Sequence, residues 1–476
     1  MLINHIHKAN LGNGYFINPI LNGDYPDPAV FREGDTFYLT VSSGRYYPGL
    51  PIFSSKNLVD WQLETYAISK FQEKEIWAPD FLKYQDKYYI YFTSFGTNWV
   101  ICADNVSGPW SDPIDLKVGG IDPGHVVDKD GQRYLLLSGG MIVALAEDGL
   151  STIGEVKKLL DLPAIPADMD TEGSFPEAPN IIKLNGYYYY SYADGGTSGP
   201  ATSHMIMIAR SQSLFGPWKF APNNPLICTR SKDEAWISKG HGHFVQDING
   251  QVWVIYHSYE NGYRNRGRKL LLSPVNVTDE GWFEMSRSDE VALMPNIASE
   301  VRLLELTDSL TWQGFSADFR GKTIFDEGKI DLLAQGTSVG DSHPLCFISG
   351  EHAFEFSVKL SIEAGVTAGI TLFYNEHYFN GLGITGDELR IYRLGRLIST
   401  RKFNSMTCWL KIILREHNLI MYYSENGETY EKVDLVIDVE SQNTNAYNGF
   451  LSLRPGIFAF GCGNAEFSDL QYIALK

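Results

Sequence analysis

The sequence predicts an all-β protein that consists of a five-bladed β-propeller followed by a β-sandwich. Three observations support this prediction. Aromatic residues make up 13% of the 476 residues, which favours strands over helices. One strand signature, a turn of Gly, Asp or Asn followed by an aromatic and β-branched run, occurs five times in the first part of the chain. Later strands are more closely spaced and lack that period.

Each signature combines a tight turn with a strand, which is the pattern of a hairpin. The copies recur at intervals of roughly 45 to 65 residues, the scale on which a four-stranded propeller blade repeats. Five copies therefore predict five blades. The copies begin at Gly34, Gln85, Gly131, Gly186 and Gly250.

A polar residue precedes each of these turns by several positions. Because the blades of a propeller surround a common channel, such residues would converge although they are far apart in sequence. They are Asp27, Asp80, Asp122, Glu177 and His241. The prediction of a functional site depends on this convergence.

The second unit begins where the strand pattern resumes after a short, charged stretch. Residues 354–360 then alternate strictly between apolar and polar side chains, as half-buried strands do. Closely spaced strands without the fivefold period are typical of a β-sandwich. The predicted division is a propeller over residues 1–294, a linker over 295–310 and a sandwich over 311–476.

Composition narrows the class of partner. The net charge of −18 opposes binding to nucleic acid or to anionic membranes, both of which require clustered Lys and Arg. A neutral partner such as a sugar fits better. The five cysteines are scattered and form no CxxC pair, which argues against a disulfide framework or a zinc site.

No apolar run reaches the length of a membrane helix, and the first residues lack the basic and apolar regions of a secretory signal. We therefore expect a cytoplasmic protein with no membrane partner, although a trimmed form of a secreted or periplasmic protein would have the same features. The sequence leaves the oligomeric state open.

Three of the acidic channel candidates, Asp27, Asp122 and Glu177, stand beside prolines that restrict the backbone. Hydrolysis of a glycosidic bond needs one carboxylic acid to protonate the leaving oxygen and one carboxylate to activate water or attack the sugar. A third carboxylate near the acid raises its pKa and keeps it protonated. Three acidic residues on separate blades meet this requirement, with Glu172 as a rival for Glu177.

At these positions the chain resembles glycoside hydrolase family 43, over roughly residues 15–290. The motifs that carry the resemblance are Tyr25-Pro26-Asp27-Pro28, Ile76-Trp77-Ala78-Pro79-Asp80, Ile121-Asp122-Pro123, Glu177-Ala178-Pro179 and Gly240-His241-Gly242. The resemblance implies a five-bladed propeller and hydrolysis with inversion of the anomeric configuration. It further implies that Asp27 is the general base, that Asp122 tunes the pKa of the acid and orients it, and that Glu177 is the general acid.

The same resemblance implies three substrate contacts. Trp77 matches the aromatic platform for a sugar ring, and Arg268 matches an arginine that reaches the active site, with Arg264 or Arg266 as alternatives. His241 matches a channel histidine that binds water or a calcium ion at the propeller centre. No cofactor is required for the chemistry, and calcium is an optional ligand of the channel.

The C-terminal segment resembles the jelly-roll, concanavalin-like sandwich of β-xylosidases and α-L-arabinofuranosidases, in which a sandwich loop closes one end of the pocket. Residues 343–348 lack the arginines and glutamine usual in that loop, which leaves the preferred sugar open. The sequence thus predicts an inverting exo-glycosidase that removes terminal xylose or arabinose from plant cell-wall oligosaccharides. Two alternatives are an endo-acting arabinanase or xylanase of the same architecture and a non-catalytic carbohydrate-binding propeller.

Overall fold

The computed structural model is built almost entirely from β-strands, which confirms the all-β prediction. Among the residues it describes, the one α-helix is the short Thr444–Tyr447, and two 3-10 turns occur at Arg264–Arg266 and Ser309–Thr311. No helix within this part of the chain has the length and apolar character needed to cross a membrane. The described residues are 3–4, 7–71, 75–285, 292–293, 299, 301–302 and 304–476.

Five antiparallel sheets form a closed ring, and each contributes its first strand to a central channel. Neighbouring inner strands contact one another in chain order, and the fifth contacts the first. The five-bladed propeller predicted from the repeat is therefore confirmed. From blade 1 to blade 5 the inner strands are Ala29–Glu33, Trp77–Tyr84, Gly124–Val127, Glu177–Leu184 and Trp236–Gln246.

The remaining strands of each blade follow outward in chain order. They are Thr36–Thr40, Gly49–Ser55 and Gln62–Ile68 in blade 1; Lys87–Ser94, Thr97–Ala103 and Ile114–Asp115 in blade 2; Arg133–Leu137, Met141–Leu145 and Thr152–Lys158 in blade 3; Tyr187–Asp194, Met205–Ser211, Lys219–Phe220 and Ile227–Cys228 in blade 4; and Val252–Glu260, Arg268–Val277 and Phe283–Met285 in blade 5. Every predicted signature turn joins the inner strand of a blade to its second strand. A residue several positions before the turn consequently lies at the channel.

The second unit is a sandwich of two sheets. The first sheet contains, in spatial order, Thr323–Asp326, Lys329–Leu333, Asn464–Ala474, Ala353–Ile362, Thr407–Arg415, Asn418–Ser424 and Glu431–Asp438, with Ile3–Asn4 paired to Asn464–Ala474. The second contains Arg396–Lys402, Glu388–Arg393, Tyr378–Ile384, Val366–Asn375, Arg454–Gly461, Leu345–Cys346, Gln313–Phe315 and Tyr46–Tyr47. Tyr15–Phe16 and Ala292–Leu293 form a separate small pair. The alternation predicted in residues 354–360 has its reason here, because Phe354, Phe356, Val358 and Leu360 enter the core between the sheets.

The two units share strands. Ile3–Asn4 and Tyr46–Tyr47 precede most of the propeller in sequence, yet each is hydrogen-bonded into a sandwich sheet. In the predicted linker, residues 295–298, 300 and 303 lie outside the described part of the chain. Ser299 lies against blade 1, where its hydroxyl donates to the carbonyl of Asp60.

Candidate active site

The inner strands turn sharply where they meet the channel. Four residues there have φ between 50° and 57°, in the left-handed region that residues other than glycine seldom adopt. Such backbone strain concentrates at functional sites, where the surrounding structure maintains it. The four residues are Asp27, Asp122, Ala178 and His241. Strand pairing is also interrupted beside Glu177 and His241, which directs these side chains toward one point.

The structure brings the predicted channel residues of four blades together. His241 Nδ1 lies 3.4 Å from Asp27 Oδ1 and 3.7 Å from Asp122 Oδ2. One carboxylate oxygen each from Asp122 and Glu177 and one ring nitrogen of His241 lie within 4.8 Å of one another. The Ala178 N–H donates to Asp122 Oδ2 at 3.1 Å. Three acidic side chains and one imidazole therefore form a single cluster.

Asp27 is buried among hydrogen-bond donors. Arg268 Nη1 donates to Oδ1 at 2.9 Å, and the Ser42 hydroxyl donates to Oδ2 at 2.6 Å. The Asp27 N–H donates to His257 Nδ1 at 3.1 Å, which fixes the strained backbone. Burial acts to raise the pKa of Asp27, but Arg268, His241 and His257 outweigh it and hold the pKa well below its ordinary value. Asp27 is therefore ionised at neutral pH.

Glu177 and Asp122 show the opposite behaviour. Burial, together with the charge of Asp27, raises the pKa of Glu177 to about 8. Burial and then the neighbouring carboxyl groups raise the pKa of Asp122 well above its ordinary value. Two such groups titrate as a pair, and the Ala178 N–H stabilises the anion on Asp122. Both carboxyl groups therefore hold their protons more tightly than free carboxylic acids do, and Glu177 is protonated at neutral pH.

These shifts predict a pH dependence. A general acid must be protonated to act, so kcat/KM should fall as the pH rises through about 8, the pKa of Glu177. On the acid side, Asp27 stays ionised to well below pH 3.8. Initial rates on an unactivated glycoside, measured from neutral to alkaline pH, check this expectation. A profile that stays flat through pH 8 would contradict it.

Of the three candidate arginines, Arg268 is the one that contacts Asp27. Arg264 Nη2 donates to the carbonyl of Gly199, and Arg266 Nη2 donates to the carbonyl of Glu416 in the sandwich. The three side chains diverge because the segment forms a 3-10 turn before the strand begins.

Trp77 and Glu172 are placed less centrally. Trp77 is half-buried, its Nε1–H donates to Glu75 Oε2 at 2.7 Å, and its ring lies 6.3 Å from that of the exposed Phe95. The two rings form an aromatic pair in blade 2. Glu172 is exposed, and its Oε2 accepts the N–H of Ser198. Its solvation makes it a weaker general-acid candidate than Glu177.

The fifth channel candidate, Asp80, belongs to a separate group. Its Oδ2 accepts the N–H of His125, and its Oδ1 lies 3.3 Å from His243 Nε2. Asn180 Nδ2 lies 2.8 Å from the same His243 nitrogen. His243, which received no role from the sequence, therefore joins blades 2, 4 and 5 within the channel. A small cavity separates this group from Asp122 and has both on its walls.

Sequence reasoning missed four residues of the site. Ser42 and His257 contact Asp27. His204, at the start of a blade 4 strand, places Nε2 3.2 Å from Glu177 Oε1. Phe450 of the sandwich lies 5.2 Å above the guanidinium of Arg268. None follows a repeated motif, and only the burial of histidines in apolar strands could have indicated the two imidazoles.

An ionised aspartate and a protonated glutamic acid in one buried cluster are the pair that hydrolysis of a glycosidic bond needs. Comparison with family models agrees. Residues 16–283 match the model of glycosyl hydrolases family 43, and residues 350–473 match that of the beta xylosidase C-terminal concanavalin A-like domain. The chain belongs to glycosyl hydrolases family 43. Both resemblances stated from the sequence, including the concanavalin-like sandwich, are confirmed.

Several named proteins are similar to this chain. Non-reducing end alpha-L-arabinofuranosidase BoGH43B of Bacteroides ovatus is 31% identical over 319 residues, which are 62% of this chain and 58% of that protein. The xylosidase/arabinosidase of Butyrivibrio fibrisolvens is 27% identical and matches 96% of this chain and 99% of its own length. The crystal structure of the GH43 BlXynB protein from Bacillus licheniformis has a TM-score of 0.87 at 26% identity, and the match covers 97% of this chain and 100% of that one.

Proposed function

We propose that this glycosidase is an inverting, exo-acting enzyme that removes terminal xylose or arabinose from plant cell-wall oligosaccharides. The observation that carries the proposal is the meeting of the Asp27 and Glu177 carboxyl groups in one buried cluster, in which Arg268 donates to Asp27 at 2.9 Å and holds it ionised, whereas burial keeps Glu177 protonated. The sugar class is supported by relatives named as an alpha-L-arabinofuranosidase and a xylosidase/arabinosidase. A neutral oligosaccharide also suits the net charge of −18.

In the proposed mechanism, the Asp27 carboxylate takes a proton from a water molecule while the oxygen of that water attacks the anomeric carbon. Glu177 gives its proton to the glycosidic oxygen as the bond to the anomeric carbon breaks. Asp122 and Glu177 resist being ionised together, because two like charges in one buried cluster repel each other. The reaction consumes one water, inverts the anomeric carbon, and leaves Asp27 protonated and Glu177 ionised until both exchange protons with solvent.

The remaining predicted residues would position the sugar. Arg268 and His241 border the Asp27 carboxylate, at 2.9 and 3.4 Å, and can donate to sugar hydroxyls beside it. The Trp77 ring offers an apolar face for the C–H groups of the pentose, with Phe95 extending that surface. These assignments follow from position and side-chain chemistry.

Exo action is supported by the way the sandwich meets the mouth of the channel. Phe450 extends from the sandwich over Arg268 and remains 51% exposed, so part of its ring is accessible. On the adjoining side, Asn445 exchanges two hydrogen bonds with Gly199 of blade 4. A wall at this point would stop a polysaccharide from continuing past the cluster, and only a chain end would enter.

We expect Phe450→Ala to raise KM for short oligosaccharides by about tenfold, since a buried aromatic contact contributes on the order of 1.5 kcal/mol. The value of kcat should change less, because Phe450 touches no reacting atom. Steady-state kinetics check this. Phe215→Ala is the matched control, because Phe215 is equally exposed, at 52%, and packs against Tyr134 of blade 3. Equal effects of the two substitutions would contradict a role for Phe450 in binding.

The resemblance also implies a calcium ion at His241 as an optional ligand of the channel. Within the described part of the chain, the group that could hold a metal is Asp122, Glu177 and His241. Calcium takes six to eight oxygen ligands, whereas this group offers one imidazole and two carboxyl groups whose raised pKa values favour the protonated form. Arg268 already supplies a cation next to Asp27. We propose that these residues hold no calcium during hydrolysis. Activity should then be the same with EDTA as with added calcium, and a rate that depends on calcium would contradict this.

The function is tested with a panel of nitrophenyl glycosides that covers β-xylosides, α-L-arabinofuranosides and galactosides. Proton NMR of the first product should show the inverted anomer, and the hydrolysed member of the panel names the sugar. Xylo- and arabino-oligosaccharides should release single sugars. Mixed oligomers would favour the endo-acting alternative, and calorimetric binding without hydrolysis would favour the carbohydrate-binding one.

A further inference from the structure

His204 is a fully buried histidine beside the carboxyl group of Glu177. Its side chain is 0% exposed, and Nε2 lies 3.2 Å from Glu177 Oε1. Neither ring nitrogen makes an aligned hydrogen bond with any described residue. A buried N–H without a partner is costly. Glu177 is the acceptor within reach, and a small rotation of its carboxyl group would complete the bond.

Gly240 packs closely against the His204 ring, and the surroundings of the two ring nitrogens indicate which of them carries the proton. A Cβ atom added to Gly240 would lie 2.1, 2.2 and 2.4 Å from Nδ1, Cγ and Cε1 of His204, so the glycine lies over the face of the ring. Nδ1 is buried without a hydrogen-bond acceptor among the described residues, whereas Nε2 has Glu177 Oε1 at 3.2 Å. The proton of the neutral ring is therefore on Nε2, which faces Glu177.

Burial keeps His204 neutral. A second proton would have to occupy Nδ1, where it would find no acceptor among the described residues, and burial lowers the pKa of His204 to about 4. A neutral donor differs from a cation in its effect on an acid. It orients the carboxyl group without the strong stabilisation of the anion that Arg268 gives to Asp27. Glu177 can thus be oriented and remain protonated.

We propose that His204 is a positioning residue for Glu177: its Nε2–H donates to Oε1 and so directs the acidic proton to Oε2, the oxygen that faces the glycosidic bond. This inference rests on the proposed role of Glu177 as general acid. It also gives a reason for Gly240, because any side chain there would displace the imidazole.

The test compares His204→Leu, which has no donor, with His204→Gln, whose amide can donate from a similar distance. On a glycoside with a poor leaving group, the leucine variant should lose about twofold to tenfold in kcat, the usual effect of a hydrogen bond between neutral groups. KM should stay nearly constant. On a dinitrophenyl glycoside, which needs little protonation, the loss should be small. The glutamine variant should recover part of the lost rate.

Gly240→Ala provides a second route, because it displaces the His204 ring without removing any polar side chain. It should give the same dependence on the leaving group. An equal loss on both substrates in folded variants, or a glutamine variant no better than leucine, would overturn the inference. A wild-type protein that hydrolyses neither substrate would instead overturn the proposed function, so the two failures are distinguishable.

Discussion

Replacing Glu177 with glutamine should nearly abolish hydrolysis of substrates with poor leaving groups. The loss in kcat should be about 10²- to 10⁴-fold, the range that general acid catalysis contributes. Glutamine keeps the shape of the side chain and can still accept from His204 Nε2, which lies 3.2 Å from Glu177 Oε1. What it lacks is the proton for the leaving oxygen. On a dinitrophenyl glycoside the rate should fall far less.

The comparison of the two substrates identifies the role. Steady-state rates for wild type and variant on 4-nitrophenyl, dinitrophenyl and oligosaccharide substrates give the dependence on leaving-group pKa. Glu172→Gln is the matched control, because it makes the same chemical change five residues earlier on an exposed side chain. If Glu172→Gln were the variant with the leaving-group signature, the acid would be misassigned.

Asp27→Asn should cause an equally large loss with a different signature. An amide cannot take a proton from water, so kcat should fall by about 10²- to 10⁴-fold on every substrate, activated or not. Arg268 would also lose its anionic partner, and its guanidinium would remain buried, since the side chain is only 7% exposed. An unpaired buried charge destabilises the fold, so thermal unfolding should occur at a lower temperature than in wild type.

Asp35→Asn separates chemistry from folding in this case. Asp35 lies in the signature turn of the same blade, with its side chain 65% exposed. It should lose neither rate nor stability. If the Asp27→Asn variant kept full activity, Asp27 would not be the general base. If it lost activity only on substrates with poor leaving groups, Asp27 would be the acid and Glu177 the base.

Much of this architecture could be predicted from sequence because it repeats. The turns near Gly34 and Gly186 recur with a period, and the blade geometry then places Asp27 and Glu177 at the channel. The prolines beside these residues indicated a defined backbone. The structure shows this defined backbone at Asp27, whose φ of 57° lies in the left-handed region.

The rest depends on contacts that leave no periodic mark. The local sequence would allow either Arg266 or Arg268 to face the channel. The 3-10 turn at Arg264–Arg266 directs Arg268 there, and this turn could not be predicted from the sequence pattern. Phe450 and Arg268 meet only because the sandwich docks on the propeller. His204 is recognisable only once its 3.2 Å approach to Glu177 is known.

The strands that the two units share restrict how the enzyme can be re-engineered. Ile3–Asn4 and Tyr46–Tyr47 complete sandwich sheets from within the N-terminal part of the chain. A chimera that grafts a foreign C-terminal module at a single junction would leave both short segments facing an edge they were not selected to match. Exchange between relatives therefore requires three matched pieces of sequence, and shuffling by simple fusion is disfavoured in this architecture.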